Sequence, residues 1–208
     1  MITFDYKVIG MIGTNCYLVK NEDTAQSVLI DPAEAPDAIQ EMIDKSGCEL
    51  KAVLLTHGHS DHIGAAKEIC ERNNVKLYAG EDEKALLLSP QLNLSAQLGQ
   101  AVSIEADYWV KDKDQLNIAG MNIKVIHTPG HTAGGTCYYI EDAGLLFSGD
   151  TLFAESVGRT DFPTGSMSQI VRSVKEKLMT LPDDTKVFPG HGESTSIGYE
   201  KKYNPYCQ

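Results

Sequence analysis

The sequence predicts a single domain of mixed α/β (α+β) class spanning residues 1–208. Three observations carry that expectation. Strand-like runs open the chain and return after residue 120, and helical patterns lie between and after them. A length of 208 residues suits one well-buried domain, at about 150 residues per domain. No tandem repeat, low-complexity segment or linker-like stretch divides it.

Taken in order, alternating or continuous apolar runs place strands near residues 2–9, 15–20, 27–31 and 52–55. A helix is expected over 35–46, where Pro36 suits the first turn because its missing N–H would be unpaired there anyway. Helical spacing recurs at 62–73 and 81–87, with a strand near 75–79 between them. Residues 88–107, rich in Gln, Ser and Asn, read as a surface excursion or lid. Strands follow near 122–127, 136–141 and 144–148. The last predicted helix, 167–179, has Ser166 as N-cap and Gln169 completing a capping box. A final strand is expected at 186–188.

Composition narrows the function. The chain is 42% hydrophobic and 23% charged, ordinary for a soluble protein. No stretch approaches the roughly 18 apolar residues of a membrane span, and the N-terminus lacks the pattern of a signal peptide. A cytoplasmic location without membrane association is the expectation. The net charge of −11 argues against a nucleic-acid partner, since phosphate backbones are bound by Lys and Arg. Five widely spaced cysteines form no C-x-x-C pair, so a reduced compartment fits, with Cys16 and Cys137 as small core residues.

The chemistry concentrates in histidines. Residues 56–65 read THGHSDHIGA, so His57, His59, Asp61 and His62 put four metal-type ligands into six residues directly after the apolar run 52–55. Their spacing, i, i+2, i+4 and i+5, fits neither one strand face nor one helix face, so a tight loop opening a helix at His62 is expected. Gly58 gives that loop room to turn. His57 and His59 would face one ion while Asp61 and His62 reach a second; the plainer alternative is a polar loop in which Asp61 caps the helix.

Three more candidates lie beside glycines. His131 sits on the turn of HTPGHTAGG, and His191 lies between Gly190 and Gly192. Asp150 ends the apolar run GLLFSGD, where an unpaired carboxylate would be costly to bury; metal coordination removes that cost, and its two oxygens can bridge two ions. A turn or capping role is the alternative for Asp150. His127, at the end of NIKVIH, reads as a strand-end residue or a hydrogen-bonding partner rather than a ligand. Thr128 and Thr132 are further candidates for orienting a ligand imidazole.

THGHSDH, GHT, SGDTLF and PGHG, in this order, resemble the metallo-β-lactamase superfamily, and within it the glyoxalase II (hydroxyacylglutathione hydrolase) branch. TNCYLV, IDPA at residues 30–33, GRTDFPTGS and FPGHGESTSIGYEKKYNPY extend the likeness over nearly the whole chain, toward the short bacterial type. The resemblance implies a four-layer αββα sandwich with the site at one edge, between the sheets. It implies two divalent metal ions, zinc first and iron or manganese next. His57, His59 and His131 would hold one ion, Asp61, His62 and His191 the other, and Asp150 would bridge them, with Asp61 and Asp150 as the carboxylates of the catalytic centre. His127 falls outside that set. Arg159, in GRTDF, stands where the family has a basic substrate-contacting residue, a clamp for a substrate carboxylate unless it is merely a surface ion pair. The helical region with which full-length glyoxalase II contributes basic residues to glutathione binding has no counterpart in the 17 residues after His191, whose basic side chains are Lys201 and Lys202.

The implied activity is hydrolysis of a small-molecule thioester, S-lactoylglutathione or a related hydroxyacyl thiol ester, by a hydroxide that two ions make available at neutral pH. The departing thiolate needs no dedicated acid. Alternatives are a persulfide dioxygenase of the same fold using one iron, another lactone or ester hydrolase, and a non-catalytic metal-binding module.

Overall fold

The computed structural model describes residues 1–99 and 101–208. Gln100, inside the predicted 88–107 excursion, lies outside the described residues.

Two six-stranded mixed sheets carry the fold. The first contains β1 (Ile2–Ile9), β2 (Thr14–Asn21), β3 (Gln26–Ile30), β4 (Glu49–Leu54), β5 (Lys76–Gly80) and β6 (Tyr108–Val110), side by side in chain order. The second runs β14 (Thr195–Ser196), β13 (Lys186–Pro189), β10 (Leu145–Gly149), β9 (Thr136–Ile140), β8 (Met121–His127) and β7 (Gln115–Ile118). A small hairpin, β11 (Leu152–Phe153) and β12 (Ser156–Val157), follows β10.

Strand periodicity explains the layering. In β2, Tyr17 and Val19 point to the other sheet while Cys16 and Leu18 point to helices. In β9, Tyr138 and Ile140 face inward while Cys137 and Tyr139 face the opposite helix layer. Both faces of these strands are buried, which is why their sequences read as continuous apolar runs. The inter-sheet core includes Val28, Leu54, Val125, Phe147 and Phe188. Outside the first sheet lie α1 (Pro36–Ser46) and α3 (Ala66–Asn73); outside the second lie α5 (Met167–Glu176) and α6 (Ile197–Tyr203). The order is helix, sheet, sheet, helix, the sandwich expected from the resemblance.

Pro36 occupies the start of α1 as expected, and Gly47 ends the helix in the left-handed conformation at φ 67°. The predicted helix over 62–73 is two helices, α2 (Ser60–Ile63) and α3, because the chain passes Ala33 at Gly64 closely enough that a Cβ there would overlap the Ala33 carbonyl. The 81–87 prediction divides into a 3₁₀ turn and α4 (Lys84–Leu88). Ser166 does precede α5, but its hydroxyl meets Ser168 Oγ at 3.2 Å and makes no capping bond, so the expected capping box does not form. All five cysteines are free, and Cys16 and Cys137 are fully buried. No helix among the described residues is long and apolar enough to cross a membrane.

β8, β10 and β13 run parallel in the second sheet, so their C-terminal ends share one edge. The C-terminal end of β4 meets that edge from the other sheet: Thr136 N donates to Thr56 O at 2.8 Å and Tyr138 Oη to Leu55 O at 2.8 Å. Asn15 and Tyr17 complete the seam by donating to Pro189 O at 3.0 and 2.7 Å.

Candidate metal centre

Every loop leaving that shared edge brings a metal-type side chain. After β4 come His57 and His59, then Asp61 and His62 on α2. The loop after β8 carries His131, the turn after β10 carries Asp150, and the turn after β13 carries His191. All seven converge. Donor atoms of His57, His59 and His131 lie within 4.8 Å of one another, as do those of Asp61, His62 and His191, and a third set joins His57, His62 and Asp150.

The spacings suit shared ions better than hydrogen bonds. His191 Nε2 lies 3.3 Å from Asp61 Oδ2 and 3.3 Å from His62 Nε2. Asp150 places Oδ1 3.5 Å from His62 Nε2, and Oδ2 3.6 Å from His131 Nε2 and 3.5 Å from His191 Nε2. Ligands about 2.0–2.2 Å from a tetrahedral ion lie about 3.3–3.6 Å from each other. Asp150 therefore reaches toward both groups of imidazoles, its Oδ2 lying beside His131 of one and His191 of the other. Buried polar atoms elsewhere are almost always paired, yet His57 Nε2, His59 Nε2 and Asp150 Oδ1 have no hydrogen-bond partner. A cation in the cluster would satisfy His57 Nε2 and Asp150 Oδ1, whereas His59 turns its Nδ1 inward, 2.9 Å from His131 Nε2.

The imidazoles are oriented from behind. His131 Nδ1 donates to Arg159 O at 2.7 Å, His191 Nδ1 faces Gly13 O at 3.3 Å, and His57 Nδ1 meets Thr56 Oγ1 at 3.1 Å. Each contact leaves Nε2 turned toward the cluster. His59 differs, since its Nδ1 lies 2.9 Å from His131 Nε2. Thr128, expected as an orienting group, instead bonds Thr151 and contacts Cys137, and no bond of Thr132 to an imidazole is present among the described residues.

Two carboxylates that the sequence analysis did not single out hold the site together. Asp31, buried after β3, accepts from Thr56 N at 2.8 Å and Thr56 Oγ1 at 2.6 Å, and meets His62 Nδ1 at 2.9 Å. Its only sequence signal was its place in IDPA. Glu83, also buried, accepts from Gly58 N at 2.9 Å and from Gly134 N at 2.8 Å, tying the loop of His57 and His59 to that of His131. Nothing local marks Glu83, since it sits in an acidic run, EDE, that reads as surface. Gly58 is needed for this close packing: a Cβ there would lie 2.8 Å from Leu86 Cδ2. The turning freedom first attributed to it is secondary.

Electrostatics divide the cluster. Burial strips hydration from the imidazolium form, pushing His59 down to about 3, with His131 adding to the effect. Burial and the neighbouring histidines likewise hold His57 well below its ordinary value. These are neutral nitrogens, the form that binds metal. His62 runs the other way: burial opposes its charge, but Asp150, Asp31 and Asp61 outweigh it and raise it to about 10. Asp61 feels burial first, yet His62 and His191 hold it well below the usual carboxylate range. Three carboxylates around one imidazole attract a cation.

Above the cluster opens a cavity of about 490 Å³, floored by His59, Asp61, His131, Asp150 and His191. Leu94, Gln97 and Leu98 from the predicted 88–107 excursion form part of its wall. Arg159 is at the rim, but Nε and Nη2 are bound to Asp161 at 2.7 and 2.6 Å, and the guanidinium lies 3.8 Å over the Phe162 ring. The surface ion pair is the arrangement observed, and the free clamp is not. His127 lies outside the cluster, its Nε2 donating to Ala133 O at 2.9 Å.

The profile of the Metallo-beta-lactamase superfamily matches residues 9–191, from the end of β1 to the last histidine of the cluster. The chain belongs to that superfamily. Within the superfamily it is 36% identical to the probable metallo-hydrolase YqgX of Bacillus subtilis, over 95% of this chain and 94% of that protein. It is also 36% identical to the hydroxyacylglutathione hydrolase GloC of Haemophilus influenzae, over 92% of each. Among solved superfamily structures, the BLEG-1 B3 metallo-beta-lactamase superposes with a TM-score of 0.93 at 35% identity, covering 99% of both chains. TTHA1623, solved in a di-iron-bound form, superposes with a TM-score of 0.87 at 31% identity over 97% of this chain and 99% of that one.

Proposed function

We propose that this chain is a hydrolase that cleaves a small thioester, S-lactoylglutathione or a related hydroxyacyl thiol ester, at two divalent metal ions. The observation that carries the reading is the convergence of seven ligand-type side chains, with His57 Nε2 and Asp150 Oδ1 buried and unpaired among them and five of the seven flooring an open cavity. His57, His59 and His131 would hold one ion, Asp61, His62 and His191 the other, and Asp150 would lie between. Two such ions, when bound, lower the pKa of a shared water toward about 7 and polarise the carbonyl it attacks.

The protein's own groups do the rest. Asp31, Thr56 and the carbonyls of Gly13 and Arg159 fix imidazole orientation, so no reorganisation is needed at the moment of reaction. Ser60 lines the cavity, but among the described residues its hydroxyl bonds none of the imidazoles, so no serine nucleophile is assembled. Attack breaks the C–S bond and releases a carboxylate and a thiol. The relatives support the class: GloC is a hydroxyacylglutathione hydrolase and YqgX a probable metallo-hydrolase. The di-iron form of TTHA1623 supports a two-ion centre and leaves zinc, iron and manganese as the metals to be distinguished.

Elemental analysis of the purified protein, with an S-lactoylglutathione hydrolysis assay, tests the proposal. The expected result is about two ions per chain and turnover that a chelator abolishes and the same ion restores. A single iron per chain, with oxygen uptake on glutathione persulfide and no thioester cleavage, would overturn it.

A further inference from the structure

The walls of the cavity have a different character from its floor. Above the histidines and carboxylates stand Ile12, Leu94, Leu98, Phe153 and Phe162. Leu98 and Ile12 keep 56% and 58% of their surface exposed, an unusual outlay of large apolar side chains beside a polar centre. Among the described residues that line the cavity, Arg159 is the one Lys or Arg, and it is already paired. Asp161 takes two of its nitrogens, the Phe162 ring covers one face, and its backbone carbonyl holds His131.

Glutathione carries two carboxylates and one ammonium besides its sulfur. A site that selects it needs unpaired cations or aligned donors at the mouth. This mouth offers apolar surface and a neutralised arginine, on a protein whose net charge is −11. Apolar contact here favours a substrate arm that leaves water on binding, and each carboxylate brought against these walls would lose hydration without a partner.

We infer that the preferred substrate is a thioester whose arm at the cavity mouth is uncharged and apolar, rather than the glutathione conjugate. The inference rests on the thioesterase reading and specifies which member of that class fits.

The test measures kcat/KM of the metal-loaded enzyme on lactoyl thioesters of ethanethiol, butanethiol and hexanethiol, and on S-lactoylglutathione. Each value is divided by the ester's rate of cleavage by hydroxide alone, to remove differences in thiol acidity. The corrected kcat/KM is expected to rise about three- to fourfold per added methylene that contacts the walls, with the hexyl ester above the glutathione ester. Leu98→Ser should flatten the rise. Asp161→Ala, which removes both acceptors of the Arg159 guanidinium, should raise turnover of S-lactoylglutathione severalfold and leave the alkyl series unchanged. A flat series, or a wild-type preference for S-lactoylglutathione, would overturn the inference while leaving the thioesterase intact.

If no thioester is cleaved, the activity reading fails. Calorimetric binding then decides the mouth by itself, using hexyl 2-hydroxypropyl sulfide against S-(2-hydroxypropyl)glutathione. Tighter binding of the alkyl sulfide supports an apolar mouth, and tighter binding of the glutathione adduct refutes it.

Discussion

Gly190→Ala is expected to lower turnover about 10²-fold or more, with the fold retained. Gly190 lies between β13 and His191, and its backbone is anchored on both sides: its N–H donates to Gly149 O at 2.9 Å, and its carbonyl accepts from Asn15 N at 2.7 Å. A Cβ built there falls inside the van der Waals shell of Asp150 Oδ1 and lies 2.6 Å from His62 Cε1. Gly190 is not among the residues with positive φ, so alanine meets no backbone penalty. Because the backbone cannot retreat, Asp150 and His62 must move instead. Displacement of about 1 Å at a reacting centre costs about 10²-fold. Metal content measured on the same sample should fall below the wild-type value, while far-UV circular dichroism stays unchanged. Full metal content with full activity would show that Asp150 and His62 are not where the reaction takes place.

Glu83→Ala is expected to damage both stability and the His57/His59/His131 group. The carboxylate is buried and accepts the N–H groups of Gly58 and Gly134, one from each of two ligand loops. Burial comes first among the influences on it and pushes its pKa up, which the donated hydrogen bonds from Gly134 and Gly58 partly oppose. Truncation strands two buried amides, each costing about 1–3 kcal/mol. At about 2–4 °C per kcal/mol for a chain of this size, the melting temperature should fall by about 4–24 °C. The loops would also lose their common anchor, and a group that orients ligands from behind is typically worth about 10–100-fold in metal affinity. Glu83→Gln should fall between, because its amide keeps one acceptor and turns a donor toward the second N–H. Equal melting temperatures and metal affinities for all three proteins would show that the loops hold themselves.

The contrast between Glu83 and His59 explains how much of this site could be read from the amino acids. The candidate ligands here are imidazoles and carboxylates set on tight turns, so His57, His59, Asp61 and His62 crowd a short loop, and His131 and His191 lie beside glycines. That chemistry leaves a dense local signature. Glu83 acts at a distance in sequence, through backbone N–H groups that every residue possesses, and no spacing rule marks it. Asp31 lies between, since its motif was visible although its three hydrogen bonds were not. In the fold, long apolar runs such as 27–31 and 52–55 were legible because they are buried on both faces. The strands β6, β7 and β14, the hairpin of β11 and β12, and α6 were not, because none carries a continuous run of four or more buried apolar residues. The break between α2 and α3 depends on the passage of Ala33, a tertiary cause that helical spacing cannot show.

Four of the seven donors fall within residues 57–62, and the other three are scattered at 131, 150 and 191. During synthesis the first four leave the ribosome with nothing to close around them. At about 5–20 residues per second, His191 follows on the order of ten seconds later. Until then the growing chain is an incomplete chelator with exposed imidazoles. The His57, His59 and His131 group can close once residue 150 has emerged, whereas the group of Asp61, His62 and His191 waits until β13 has been made.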